Sequence, residues 1–180
     1  MTEVRIHGRG GQGAVVASQI LALAAMKEGK YVQSFPEFGV ERRGATVEAF
    51  VRIADKKINE RCKIYHPHYV VVMDPALVNI VDVTDGMREN GWILINTSKM
   101  PEDFSFHASV ATIDAFSIAT EKGLGSHGHP IVNTTILGAF VKIAPVVSVE
   151  ALLKAIRESV SSNTEKNVEA ALSAYDKVKI

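Results

Sequence analysis

The chain has 180 residues, 47% of them apolar and 22% charged, enough for one domain with a substantial core and too apolar for a disordered segment. Twenty basic residues balance twenty acidic ones with no Lys/Arg-rich run, and the apolar stretches Ala14 to Met26 and Tyr69 to Met73 are too short to span a bilayer; neither a nucleic acid nor a membrane is an expected partner. A lone cysteine, Cys62, excludes an internal disulfide and a four-cysteine iron–sulfur or zinc site made by this chain alone, and Met1 leads straight into a strand-like segment rather than a signal peptide, so a cytoplasmic location is expected.

In chain order, Val4 and Ile6 alternate with Arg5 and His7 as a strand, and Gly13 to Lys27 follows as a helix apolar nearly all round, hence buried. A second strand, Tyr31 to Phe35, is expected to stop at Pro36. Thr46 to Ile53 alternates cleanly, and Ala54-Asp55-Lys56-Lys57 reads as a hairpin turn into an antiparallel partner at Ile58 to Cys62. Tyr69 to Met73 is a continuous apolar run halted by Asp74-Pro75, the pattern of a central parallel strand, with its helix expected from about Ala76 to Glu89. Gly91 precedes strands at Trp92 to Ile95 and Ala108 to Ile113, and a helix is expected over Ala115 to Lys122. The remainder is helical: Thr134 to Ala144, then Ser148 through Val160, then a helix that Ser162 and Glu165 would open as a capping box and that reaches about Lys177. Strands alternating with helices, with one hairpin, imply a single domain over residues 1–180: a three-layer α/β/α, Rossmann-like fold with a mostly parallel, mixed sheet and one antiparallel hairpin element.

In such sheets ligands gather beyond the carboxyl ends of the strands, where the strand order reverses. The loop at the end of the first strand carries Gly8, Gly10 and Gly13 in the spacing G-x-G-x-x-G, with Gly11 and Gln12 between them. Bare backbone N–H groups there, with the dipole of the following helix, can cradle a phosphate or carboxylate, and the Gln12 amide can both donate and accept. A tight turn with close helix–sheet packing explains the same glycines. A dinucleotide site also wants an acidic residue closing the second strand, yet Gln33-Ser34-Phe35-Pro36 ends it with Glu37 only beyond the proline. That weakens the alternative of a stand-alone nucleotide-dependent oxidoreductase.

A second signal is Ser34 to Glu48, SFPEFGVERRGATVE, in which Glu41, Arg42 and Arg43 stand between aromatics and glycines; Arg forks suit phosphate, carboxylate and interface recognition. Together, "GRGGQGAVVASQILALAA", "FPEFGVERRGATVEAFVRI" and "NTTILGAFVKI" resemble the gamma subunit of 2-oxoacid:ferredoxin oxidoreductases, in order over nearly the whole chain. The resemblance implies an assembly with alpha, beta and delta subunits that oxidatively decarboxylates a 2-oxoacid on thiamine diphosphate and Mg, passes electrons through [4Fe-4S] clusters to ferredoxin and forms an acyl-CoA. Thiamine diphosphate and clusters are then expected on the other subunits, and this chain is expected to bind no cofactor of its own and to be catalytically silent in isolation. Pyruvate is the expected substrate, with 2-oxoglutarate and branched-chain 2-oxoacids as alternatives. What remains for this chain is architecture and part of a coenzyme A site: Gly8, Gly10, Gly11, Gln12 and Gly13, with Glu41, Arg42 and Arg43, as contacts for CoA or a partner chain, joined by Asn133 and Thr134 of the Asn-Thr motif. Self-association as a homodimer is also open, through Phe35, Phe38 and the arginine pair. His66-Pro67-His68 and His127-Gly128-His129 lack partner ligands at fixed offsets, so no metal is expected.

Overall fold

The structure, a computed structural model, describes residues 1–38, 45–126 and 128–180. The chain runs β1 (Thr2–Arg9), α1 (Ala14–Lys27), β2 (Tyr31–Phe38), β3 (Thr46–Ala54), β4 (Tyr69–Val72), β5 (Trp92–Asn96), β6 (Ser109–Ile113), α2 (Ala115–Glu121), a short ribbon of β7 (Gly125–Ser126) and β8 (His129–Pro130), α3 (Asn133–Ile143), α4 (Val149–Ser159) and α5 (Thr164–Lys177). Six strands form one sheet in the order β2-β3-β1-β4-β5-β6. β1, β4, β5 and β6 are parallel, and β3 is antiparallel to both of its neighbours, β1 and β2. The mixed, mostly parallel sheet expected from the sequence is present.

Four local expectations are corrected. β3 pairs with β2 and β1, not with Ile58 to Cys62, which forms no strand: both edges of β3 are already hydrogen-bonded, so a further strand has nowhere to add. The segment expected as a helix from Ala76 to Glu89 is a 3-10 helix at Pro75–Asn79 followed by turns. There the Asp82 carboxylate accepts from the N–H and hydroxyl of Thr84, and Gly86 sits at φ +67°, so local side-chain bonds replace helical ones. The capping box is absent as well. Asn163, at φ +52°, precedes α5 without a side-chain cap, and Glu165 instead pairs with Arg157 at 2.9 and 3.1 Å. β2 also continues through Pro36 to Phe38, because an edge strand tolerates the missing N–H.

Val4, Ile6, Val51, Val71, Leu94 and Ala111 face a cluster to which all five α-helices contribute. The other face carries Val70, Val72, Ile93 and Ile95 under Leu77, Val83, Phe104 and Phe106. That third layer is irregular chain with two 3-10 helices and, among the described residues, no α-helix. Towards β1 and β3 the same face becomes polar. Arg52, 1% exposed, donates to Glu3 Oε1 at 2.9 Å, Gln33 Oε1 at 3.2 Å and the Lys63 carbonyl at 3.2 Å, and Arg5 donates to the carbonyls of Val83 and Asp85. Charges can occupy a sheet face here because both guanidinium groups find acceptors, in neighbouring strands and in the chain segments that cross above them.

His7 shares this face, its Nδ1 3.4 Å from Glu48 Oε1 and its Nε2 buried without a partner among the described residues. Burial first, then the charges of Arg5 and Lys63, push its pKa down to about 3, so the folded chain holds it neutral. Below pH 6.5 the unfolded chain takes up a proton that the folded chain refuses, so stability present at neutral pH is lost as the pH falls. Urea unfolding at pH 7 and pH 5 should show the wild type losing about 2 kcal/mol more than His7→Gln over that interval. Equal losses in both proteins would show that His7 does not drive the acid sensitivity.

Candidate functional site

The chain leaves β1 toward β2 and β3 and returns to β4 on the opposite side, so the sheet reverses its winding between β1 and β4. The glycine loop sits at the carboxyl end of that junction. Its backbone needs glycine at two places, Gly11 at φ +97° and Gly13 at φ +82°. A Cβ on Gly11 would meet nothing within 4 Å, whereas one on Gly13 would lie 2.7 Å from Asn133 Nδ2. Gly8 is packed between Ala14 and Met73, and Gly10 N donates to the Ala45 carbonyl at 3.0 Å, tying the loop to the start of β3.

Gly13 is also the cap residue of α1, with no side-chain cap, so the first-turn N–H groups of that helix face the loop's mouth. Asn133 opens α3; Val132 before it gives no side-chain cap, and the Asn133 Oδ1 accepts from Thr134 N at 2.8 Å. The proximity of Gly13 to the Asn133 amide therefore brings two helix N-termini together, a local positive potential suited to an anion. From Asn133 a cleft of about 260 Å³ runs between Gly125, Ile131, Val160 and the Ser161-Ser162-Asn163 turn.

Gln12 is used differently from the sequence expectation. Its Oε1 accepts from Arg9 N at 2.8 Å and its Nε2 donates to Asp74 Oδ2 at 3.2 Å, so the amide shapes the loop from within. Arg9 Nε donates to the same oxygen at 2.8 Å, and Asp74 Oδ1 caps the following 3-10 helix by accepting from Ala76 N. The sequence places the Asp74-Pro75 turn, and Arg9 within Gly8 to Gly13, among the loops at the carboxyl edge of the sheet, but it singles out neither Arg9 nor Asp74 as a site residue. Asn96, fully buried at the end of β5, donates to the Met73 carbonyl and accepts from Ala115 N, fixing the strand ends beside the loop.

Thr134 is fully buried, and its hydroxyl donates to Asn167 Oδ1 at 2.7 Å, tying α3 to α5 rather than facing the loop. Glu41, Arg42 and Arg43 lie outside the described residues. Just before them Glu37, and just after them Glu48, both reach Lys63, at 3.1 and 3.8 Å. That contact engages Glu37, the carboxylate nearest the end of β2 among the described residues. Phe35 is half-buried, its ring tilted 32° against that of Phe50 at 5.3 Å, with the Arg52 guanidinium over its ring. His66 Nδ1 contacts the Gly86 carbonyl and His68 Nδ1 accepts from Glu3 N; His127 lies outside the described residues. No helix among the described residues is long and apolar enough to cross a membrane.

The sequence profile of the family described as pyruvate ferredoxin/flavodoxin oxidoreductase matches residues 3–177. The chain is 51% identical over 180 residues to the pyruvate synthase subunit PorC of Methanothermobacter marburgensis, covering 99% of this chain and 98% of that one. It is 49% identical over 183 residues to the pyruvate/ketoisovalerate oxidoreductases common subunit gamma of Thermococcus litoralis, covering 98% and 97% respectively. Its fold superposes on the crystal structure of the pyruvate oxidoreductase subunit PORC of Thermotoga maritima with a TM-score of 0.86 at 38% identity, covering 99% of this chain and 97% of that one.

Proposed function

The chain belongs to the pyruvate ferredoxin/flavodoxin oxidoreductase family as the gamma subunit of a 2-oxoacid oxidoreductase complex, and from that premise we propose that its glycine loop forms part of the complex's coenzyme A site. The observation that carries this reading is the meeting of the α1 and α3 N-termini at Gly13 and Asn133, beside a Gly11 that leaves room for close approach. Coenzyme A brings phosphates, which the first-turn N–H groups of α1, without a side-chain cap, and the helix dipoles of such a junction attract. Gly8, Gly10 and Gln12 hold the loop's shape, Asn133 offers its amide, and Thr134 secures α3 from behind. To these the reading adds Glu41, Arg42 and Arg43 as contacts for CoA or for a partner chain.

The relatives support this division of labour. A gamma subunit common to two oxidoreductases, one for pyruvate and one for ketoisovalerate, cannot be what tells their 2-oxoacids apart, and it suits a step that both share. In our reading the complex prefers pyruvate, works in the cytoplasm, and comprises alpha, beta and delta subunits with ferredoxin as acceptor. Thiamine diphosphate, Mg and the [4Fe-4S] clusters do not fit this chain's donors: Cys62 stands alone, and among the described residues no three His, Cys, Asp or Glu side chains are grouped to hold a metal. They belong to the other subunits, and the isolated chain turns over no 2-oxoacid.

Gln12→Ala, introduced into the native complex, tests the reading. It removes an amide that shapes the loop without changing backbone freedom, and KM for CoA should rise about tenfold, with kcat and assembly held. Weakened assembly with a normal KM would make the loop a protein contact instead. If KM and assembly are both unchanged, in Gln12→Ala and in Gly11→Ala, the glycines serve packing alone.

A further inference from the structure

We propose that Asp74 is a positioning residue of the anion site, acting through Gln12 and Arg9 to fix the directions of the glycine loop's N–H groups; this rests on the coenzyme A reading above. Asp74 follows β4, more than sixty residues along the chain from the loop it grips. Its two oxygens divide their work. Oδ1 accepts from Ala76 N at 2.9 Å, an ordinary cap for the 3-10 helix. Oδ2 accepts from Arg9 Nε at 2.8 Å and from Gln12 Nε2 at 3.2 Å, while Gln12 Oε1 turns back to accept from Arg9 N at 2.8 Å. Carboxylate, guanidinium and amide thus close a ring around the loop's base, with the Asp74 side chain 16% exposed and the Arg9 side chain 28% exposed.

A loop with four glycines among six residues has wide backbone freedom, and N–H groups bind an anion well only if they are held in place before it arrives. Of the contacts to the loop, Gly10 N to the Ala45 carbonyl anchors its middle, Gly13 abuts Asn133, and Gln12 N donates to the Arg9 carbonyl at 3.0 Å; the Asp74 ring adds a side-chain grip from β4 on both Arg9 at the loop's entrance and Gln12 near its exit. Charge assistance makes these bonds stronger than neutral ones. The cap at Oδ1 is a local, structural duty; the grip at Oδ2 is the one tied to the ligand.

Asp74→Asn separates the two duties. With its oxygen on Ala76 N, the asparagine keeps the cap but turns an NH2 group toward the two donors that the carboxylate had accepted. In the native complex, Asp74→Asn should raise KM for CoA about tenfold with kcat within about twofold and a melting temperature close to wild type, and Asp74→Asn/Gln12→Ala should be no worse than the larger single effect. An unchanged KM in Asp74→Asn alongside a raised KM in Gln12→Ala would overturn the positioning role and leave the coenzyme A reading intact. A double variant whose effects multiply to about a hundredfold would overturn the claim that Asp74 acts through Gln12. Unchanged KM in both single variants would sink both readings together.

Discussion

Arg52→Met is expected to cost about 3–5 kcal/mol of stability, one of the two largest single-residue effects in the chain. Arg52 is 1% exposed and is the main partner of Glu3, itself only 8% exposed. Removing the guanidinium leaves that carboxylate buried with one long contact, Arg88 at 3.5 Å, and leaves Gln33 Oε1 and the Lys63 carbonyl without their donor. The loss also reaches Phe35, whose ring lies 5.5 Å below the guanidinium. For a chain of this length the melting temperature should fall by roughly 6–20 °C. Glu3→Met/Arg52→Met should recover part of that loss, because it removes both charges instead of stranding one. A single variant within about 2 °C of wild type would mean that Glu3 finds other compensation on folding.

Gly138→Ala should do comparable damage by a different route. Gly138 lies in α3 where α5 crosses, and a Cβ there would stand 1.9 Å from the carbonyl oxygen of Ala171. The obstacle is backbone on the buried face of α5, so relief requires the helices to separate. Overpacking of this kind costs about 1–3 kcal/mol where side chains can yield, and more where only backbone can move. The separation would also stretch the Thr134–Asn167 bond that joins the same two helices. Thermal melting should show a drop of more than about 6 °C, or no folded protein at all. Gly11→Ala is the internal contrast, since its Cβ would have free space and only the φ of +97° to contend with.

Much of this architecture is legible in the sequence because its signals are local. The unbroken run Tyr69 to Met73 marks a strand covered on both faces, the alternation of Thr46 to Ile53 marks another, and Ser148 caps α4 by accepting from Ala151 N. What the alternation does not encode is which strands flank β3. A pattern of period two says that two faces differ, while the neighbours follow from how the chain returns, here by β2 and β1 rather than Ile58 to Cys62. The missing helix after Pro75 has a local cause that its apolar residues outweigh in a periodicity reading: Asp82 bonds Thr84, and Gly86 takes a positive φ. The glycine spacing lies, as the sequence implies, at the end of a strand and the start of a helix. The Asp74-Pro75 turn falls on the expected ligand edge, but the role of Asp74 exists only once β4 lies beside β1, and Gln12, taken from the sequence as a ligand group, turns inward because Asp74 is there to receive it. Thr134 likewise has a polar partner, Asn167, that no local pattern pairs with it.

The central claim is that coenzyme A meets the glycine loop, and amide hydrogen exchange of the native complex with and without saturating CoA tests it most directly. An anion seated on the α1 N-terminus should slow exchange at the N–H groups of Gly11, Gly13, Ala14 and Val15, while the core of β4, buried in both states, stays unchanged. Protection at those amides that appears with CoA and disappears in Asp74→Asn is the predicted result; exchange at the loop indifferent to CoA in the assembled, active complex would contradict it.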